Sequence, residues 1–147
     1  MRIDNRRLAA CIAGLWAGAI FSIAAIGAPA SFASLLPEVA GRVAGRMFMH
    51  EAYVSLAIAI AMLLLMRRLA RVDAETGRGS VFSTNIVLVL GTLFCTMFGY
   101  FAIQPMMVAA KAGQGMLSFG ALHAISAAFF GLKGLLALTL AWRLSGN

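Results

Sequence analysis

The sequence predicts an all-α polytopic membrane protein, a bundle of four transmembrane helices, and three observations carry that prediction. Of 147 residues, 62% are hydrophobic and 12% charged, where a soluble domain would carry roughly 25% charged. The few charges leave long gaps, and residues 8–37, 79–110 and 112–132 contain none. Gaps of that length read as spans, because about 20 helical residues cross the hydrocarbon core of a bilayer. Finally, the basic residues sit in short clusters at the ends of the apolar runs, where positive-inside topology puts them. Helices follow, since a lipid-exposed backbone must satisfy its own hydrogen bonds. The net charge of +7 is therefore a membrane signature, and nucleic acid is excluded as a partner. The lipid bilayer is the partner this composition demands.

The first span is placed at 8–28, after Arg6 and Arg7 and up to Ala28-Pro29. Its apolar stretch exceeds the 7–15 residues of a usual signal-peptide core, so the segment is expected to remain as a helix. Ala10, Gly14, Gly18 and Ser22 recur every four residues. Small residues at that spacing let helix backbones approach closely in lipid, so Gly14 and Gly18, with Trp16 between them, are expected to pack this helix into the bundle. Similar stripes occur at Gly91, Cys95 and Gly99 and at Gly120, Ala124, Ala127 and Gly131.

From Pro37 the segment PEVAGRVAGRMF begins with the proline favoured at a helix start. Glu38, Arg42 and Arg46 form a charged stripe beside Val39, Val43 and Met47, which predicts a short amphipathic helix on the outer, periplasmic membrane face. The second span, 49–66, is the weakest. Only residues 52–66 are uncharged before Arg67 and Arg68, so His50 and Glu51 are needed at the interface to reach full length. A polar loop with Gly77 and Gly79 follows. The third span is placed at 82–104, ending at Gln104-Pro105, and the fourth at 118–142, ending at Trp142-Arg143. No internal repeat is visible, and the chain forms one membrane domain.

Counting Lys and Arg orients the bundle. Arg2, Arg6, Arg7, Arg67, Arg68, Arg71, Arg78 and Arg143 fall on one side, and Arg42, Arg46 and Lys111 on the other. The excess places both termini in the cytoplasm. Tyr53 and Tyr100 then fall in the outer aromatic belt and Trp142 in the inner one. Cys11 and Cys95 lie at different depths and in no paired motif, so no disulfide is expected and both thiols act as small hydrophobes.

The candidate functional residues gather toward the outer end. His50 opens the second span and His123 lies early in the fourth, at similar depth, with Met47, Met49, Met106 and Met107 nearby. Thioether and imidazole donors suit Cu(I), so these six form a candidate soft-metal site with Glu51 as an orienting or neutralising carboxylate. Two readings compete with it. Methionines fill irregular gaps where helices end, and two histidines at one depth could hold a haem axially. Lys133 stands inside the fourth span with no acid assigned to any span. It either snorkels toward the cytoplasmic headgroups or joins His123 and Ser126 in a polar pathway through the bundle. No nucleophile–base set, phosphate loop or carboxylate pair appears, which argues against an ordinary hydrolase.

The stretch LWAGAIFSIAAIGAPASFASLLPEVAGRVAGRMFMHEA, followed by FAIQPMMVAA and SFGALHAISAAFFGLKGLLALTLAW, resembles the transmembrane-protein-205-like family. The resemblance spans Leu15 to Trp142. Its most recognisable pieces are Trp16-Ala17-Gly18, Ala28-Pro29, Leu36-Pro37 with Ala40-Gly41, Gln104-Pro105, and Phe119 with Leu122-His123 and Ser126. It implies a four-helix bundle in a bacterial inner membrane and no settled activity, and it marks His123 and Ser126 as functional or structural. Members often carry a polar residue where Phe130 or Lys133 stands here. These considerations favour a non-enzymatic, transporter-like or soft-metal-handling protein. A haem oxidoreductase and a scaffold subunit, as a homo-oligomer or with a membrane partner, are the alternatives.

Overall fold

The computed structural model describes residues 5–77 and 79–146; Arg2 and Arg78, counted above for orientation, lie outside them. Four helices long and apolar enough to cross a membrane make up the described chain: α1 (Asn5–Ser34), α2 (Pro37–Glu75), α3 (Thr84–Lys111) and α4 (Phe119–Ser145). They run up and down. Close packing passes around a ring in which α1 and α3 each lie between α2 and α4, and α3–α4 is the most extensive contact. Neither diagonal, α1/α3 nor α2/α4, brings backbones into extended contact.

All four helices are longer than their predicted spans. The expected surface helix is not separate: residues 37–48 are helical but continue without a break into the second span. At 1.5 Å per residue, the 39 residues of α2 reach about 58 Å, well beyond a hydrocarbon core of about 30 Å. The charged stripe does face outward, with Arg42 Nη1 donating to Glu38 Oε1 at 2.8 Å. The buried face beside it is Ala40 and Ala44, so this segment is part of the bundle wall.

Pro29 and Pro105, taken as span ends, also lie inside continuous helices. The same local device accommodates both. A proline lacks an N–H and its ring clashes with the carbonyl four residues earlier. Here that carbonyl belongs to Ala25 or Phe101, and each falls within a wider π-helical turn, Ile23–Gly27 in α1 and Met97–Ala102 in α3. Widening the turn removes the clash without ending the helix. Serine hydroxyls bond to carbonyls of both π turns: Ser31 Oγ donates to Gly27 O at 2.8 Å, and Ser126 Oγ of α4 donates to Gly99 O at 2.6 Å.

The two halves of the bundle differ. The core cluster lies wholly in the half that holds the chain ends: Ala13, Trp16 and Ile20 of α1, Met62 and Met66 of α2, Val89 of α3 and Leu140 of α4. Ion-pair and amide contacts close that end, Arg6 to Asp73 at 3.2 Å and Arg143 Nε to Asn85 Oδ1 at 3.1 Å. The opposite half, containing both π turns, is splayed.

The small-residue stripes divide accordingly. Cys95 and Gly99 are buried against α4 as expected. Gly14 and Gly18 are not; they face outward, and nothing lies within 4 Å of a side chain built there. The packing face of α1 is rotated to Ala9, Ala13, Trp16, Ala17 and Ile20, because the large Trp16 ring, not the glycine notch, fills the space beside α2 and α4. The stripe from Gly120 to Gly131 likewise faces away from close packing. Cys11 is exposed on α1 and Cys95 is buried in α3, and both are free thiols.

A Cβ at Gly99 would stand 2.5 Å from that of Phe129, whereas one at Gly131 meets nothing within 4 Å. Gly99→Ala is therefore expected to destabilise the bundle by about 1–3 kcal/mol through overpacking. Gly131→Ala should be neutral or mildly stabilising, since it only restrains the unfolded chain. Unfolding in a denaturing detergent, followed by helical circular dichroism, ranks the two; equal stabilities would contradict the close α3–α4 contact.

Candidate intramembrane ion-pair site

Glu51 and Lys133 each lie about four turns from the start of their helices. Since α2 and α4 both begin at the splayed end, the two residues arrive at one depth. Lys133 Nζ donates to Glu51 Oε2 at 2.6 Å, and the residues are 2% and 6% exposed. This corrects two expectations at once. Glu51 is not an interfacial residue and Lys133 does not snorkel; each is the other's counterion, across the bundle diagonal that backbone packing leaves open.

The pair is built into a longer chain of bonds. Ser55, one turn along α2, donates its hydroxyl to Glu51 Oε1. Trp16 of α1 donates Nε1–H to Ser55 Oγ at 2.7 Å. Both carboxylate oxygens thus accept a hydrogen bond, and the Ser55 hydroxyl both accepts and donates. On the other side Lys133 Nζ lies 4.6 Å from the centre of the Phe130 ring, which meets Phe48 edge-on at 5.0 Å. Among the described residues, no buried side-chain nitrogen or oxygen lacks a partner. A lone charge at the centre of a span costs about 2.5–3.5 kcal/mol on insertion scales, and this network offsets that cost by giving each charge a partner of opposite sign.

Two cavities meet at Glu51. One is a groove of about 510 Å³ between α1 and α2, lined by Leu15, Ala19, His50, Val54 and Ile58 with Trp16 and Ser55. The other, about 570 Å³, is a vestibule inside the splayed half. Its floor is Glu51, Lys133, Cys95 and Thr96, and its walls near α4 are Phe130, Gly131, Ala127 and Ser126. Glycines and alanines facing one another, Gly41, Ala44 and Gly45 across from Ala127 and Gly131, leave the space open. Toward the helix ends lie Lys111, Phe119 and His123.

The residues expected to form a soft-metal site are divided between these cavities. Met47 and His50 line the groove, Met107 and His123 line the vestibule, and Met49 and Met106 are exposed. His50 is engaged locally, its Nδ1 2.8 Å from the Arg46 carbonyl, and His123 stacks on Phe119 with ring centres 5.8 Å apart. The two imidazoles therefore do not share the cavity that an axially ligated haem would need. Among the described residues, no three His, Cys, Asp or Glu side chains converge where they could hold a metal ion. Ser126 lines the vestibule, but its hydroxyl is committed to the Gly99 carbonyl. Tyr53 is exposed against Phe101, with ring centres 5.3 Å apart; Tyr100 turns inward to line the vestibule, and Trp142 is exposed.

Sequence reasoning missed the roles of Ser55 and Trp16. A signal for Ser55 was present: it stands four residues after Glu51, on the same face, in line with the alanines at 52 and 59.

Four apolar helices closed around a buried ion pair define a multi-pass integral membrane protein. The chain belongs to the family described as a domain of unknown function, DUF4149, whose model matches residues 11–115. The match includes Trp16, Glu51 and Ser55 and ends before α4 and Lys133. No curated protein and no solved structure matches the chain.

If the ion pair is required for folding, its single and double replacements separate. Lys133→Met strands a buried carboxylate and should cost about 3–5 kcal/mol, with Glu51→Gln comparably damaging. The double variant should recover most of that loss, because two neutral groups remain. Thermal denaturation of purified protein measures all three; losses that simply add would show that the two residues act independently.

Proposed function

We propose that the protein is a non-enzymatic, transporter-like membrane protein that receives a small solute in the vestibule, with the Glu51–Lys133 pair as its floor. One observation carries this reading: ionisable residues deep in a span abut a 570 Å³ cavity, within the range of about 300–1,000 Å³ usual for small-ligand sites. Such residues are rare in membranes and characteristically mark ligand or ion pathways. The paired π turns add support, since such turns recur at functional sites, and both lie in the splayed half. The absence of any nucleophile–base set in the sequence favours binding over catalysis. The division of the methionines and histidines between two cavities weighs against copper or haem as the cargo.

In this reading the protein resides in a bacterial inner membrane with both termini in the cytoplasm, and the vestibule opens toward the periplasm. The Lys and Arg asymmetry supports that orientation, and the transmembrane-protein-205-like resemblance supports the compartment.

Accessibility tests the reading. In a chain with Cys11 and Cys95 replaced by Ala, Ala127→Cys in the vestibule should react with a membrane-impermeant thiol reagent added outside spheroplasts. Leu138→Cys, exposed on α4 away from the vestibule, should not. Equal protection of the two would mean a vestibule closed to water and would overturn the proposal. Labelling of Ala127→Cys only in inverted vesicles would reverse the orientation.

A further inference from the structure

The vestibule's lining carries more information than its volume. Its cations are Lys133 and Lys111, and its one acid is Glu51. Glu51 already accepts from Lys133 and Ser55, so the floor is electrically balanced. Lys111, at the end of α3, makes no ion pair among the described residues. Its ammonium lies over the face of Phe119, 4.6 Å from the ring centre, and His123 stacks on that same ring. The other described acids lie elsewhere: Glu38 is held by Arg42, Asp73 by Arg6 at the far end of the bundle, and Glu75 ends α2 at that same end. The vestibule therefore presents one unbalanced positive charge, located at its outer end.

Below that charge the walls are mostly apolar, with Tyr100, Gln104 and Ser126 as the polar side chains among them. Phe32, Phe48, Phe119 and Phe130 line the cavity from α1, α2 and α4, with small residues between them. A small hydrophilic anion would leave this aromatic surface unused, and a cation would meet Lys111 without a free carboxylate. A ligand that satisfies both levels has a single negative head and an apolar body.

We infer that the vestibule takes a single-chain anionic amphiphile, its headgroup at Lys111 beside His123 and its chain running inward along the phenylalanines toward the neutralised floor. This deepens the solute-binding reading and rests on it. The head chemistry, a carboxylate or a phosphate monoester, is the same for a free long-chain acid and for a lysophospholipid-type molecule, and both reach the site from the surrounding membrane. The ion pair suits such a ligand: a balanced floor lets the chain end approach without meeting a bare charge, while a free carboxylate or ammonium there would repel it.

The test uses the full chain in phosphatidylcholine nanodiscs with a photoreactive long-chain carboxylate, adducts being located by mass spectrometry. Adducts are expected on vestibule residues of α3 and α4, competed by an unlabelled long-chain acid or by a single-chain phosphate monoester; the stronger competitor identifies the source. A long-chain trimethylammonium of equal length should not compete. Lys111→Ala should weaken binding about tenfold, the loss of one hydrogen bond to a charged group. Gly131→Leu, at a position with open space, should block adduct formation while leaving the helical signal intact. Equal competition by the cationic amphiphile, unchanged binding in Lys111→Ala, or adducts confined to the outer surface of α1 would overturn the inference. Should Ala127→Cys label from outside while no adduct forms, the vestibule stands and the amphiphile assignment falls.

Discussion

A carboxylate and an ammonium placed in hydrocarbon must find each other, and much of this structure is arranged so that they can. The Glu51–Lys133 contact at 2.6 Å joins the two helices that ring packing leaves apart. Through Ser55 and Trp16 it also reaches α1. Coulomb attraction is strong at low dielectric but so is desolvation, and a buried pair is stable only when its remaining hydrogen-bonding capacity is filled. Ser55 fills the second carboxylate oxygen, and the Phe130 face covers the ammonium. The pair also settles the length of the apolar stretch within α2. With Glu51 neutralised, the apolar stretch extends back to about Met47, twenty residues instead of fifteen, which brings it to the roughly 30 Å that a bilayer core requires.

That extension explains why the fold was legible in the sequence while its boundaries were not. Charge-free gaps and basic clusters depend only on transfer free energy, and they gave four helices and their alternation correctly. Span ends were drawn at charges and prolines, on the assumption that each marks water. Glu51 broke the assumption because its counterion lies eighty-two residues away, and no local rule sees that far. Pro29 and Pro105 broke it because a π turn upstream absorbs the ring. The small-residue stripe misled for a related reason. Gly14 and Gly18 have the right spacing, but helix rotation is decided by where Trp16 can reach Ser55, a three-dimensional condition.

The candidate site was half visible. Glu51, Lys133, His123 and Ser126 all attracted attention as polar groups in apolar runs, and all four line one vestibule. The partition of the methionines and histidines was invisible, since His50 and Glu51 are neighbours in sequence yet about 100° apart around the helix. His50 therefore faces only the groove, while Glu51 forms the partition and touches both spaces. The emptiness of the vestibule comes from glycines and alanines of α2 and α4 facing one another, a coincidence of registers that no single segment encodes.

The same separation of eighty-two residues has a consequence for how the protein is made. Ribosomes add about 5–20 residues per second, so Lys133 is synthesised roughly 4–16 s after Glu51. For that interval the second helix has no ammonium to meet. Trp16 and Ser55 are already present by then, both emerging with or before the helix that carries Glu51. The two bonds that look auxiliary in the finished bundle are thus the only ones from the mature network on hand when the acid first reaches the bilayer. Order of synthesis, as much as final geometry, gives them a place in the chain.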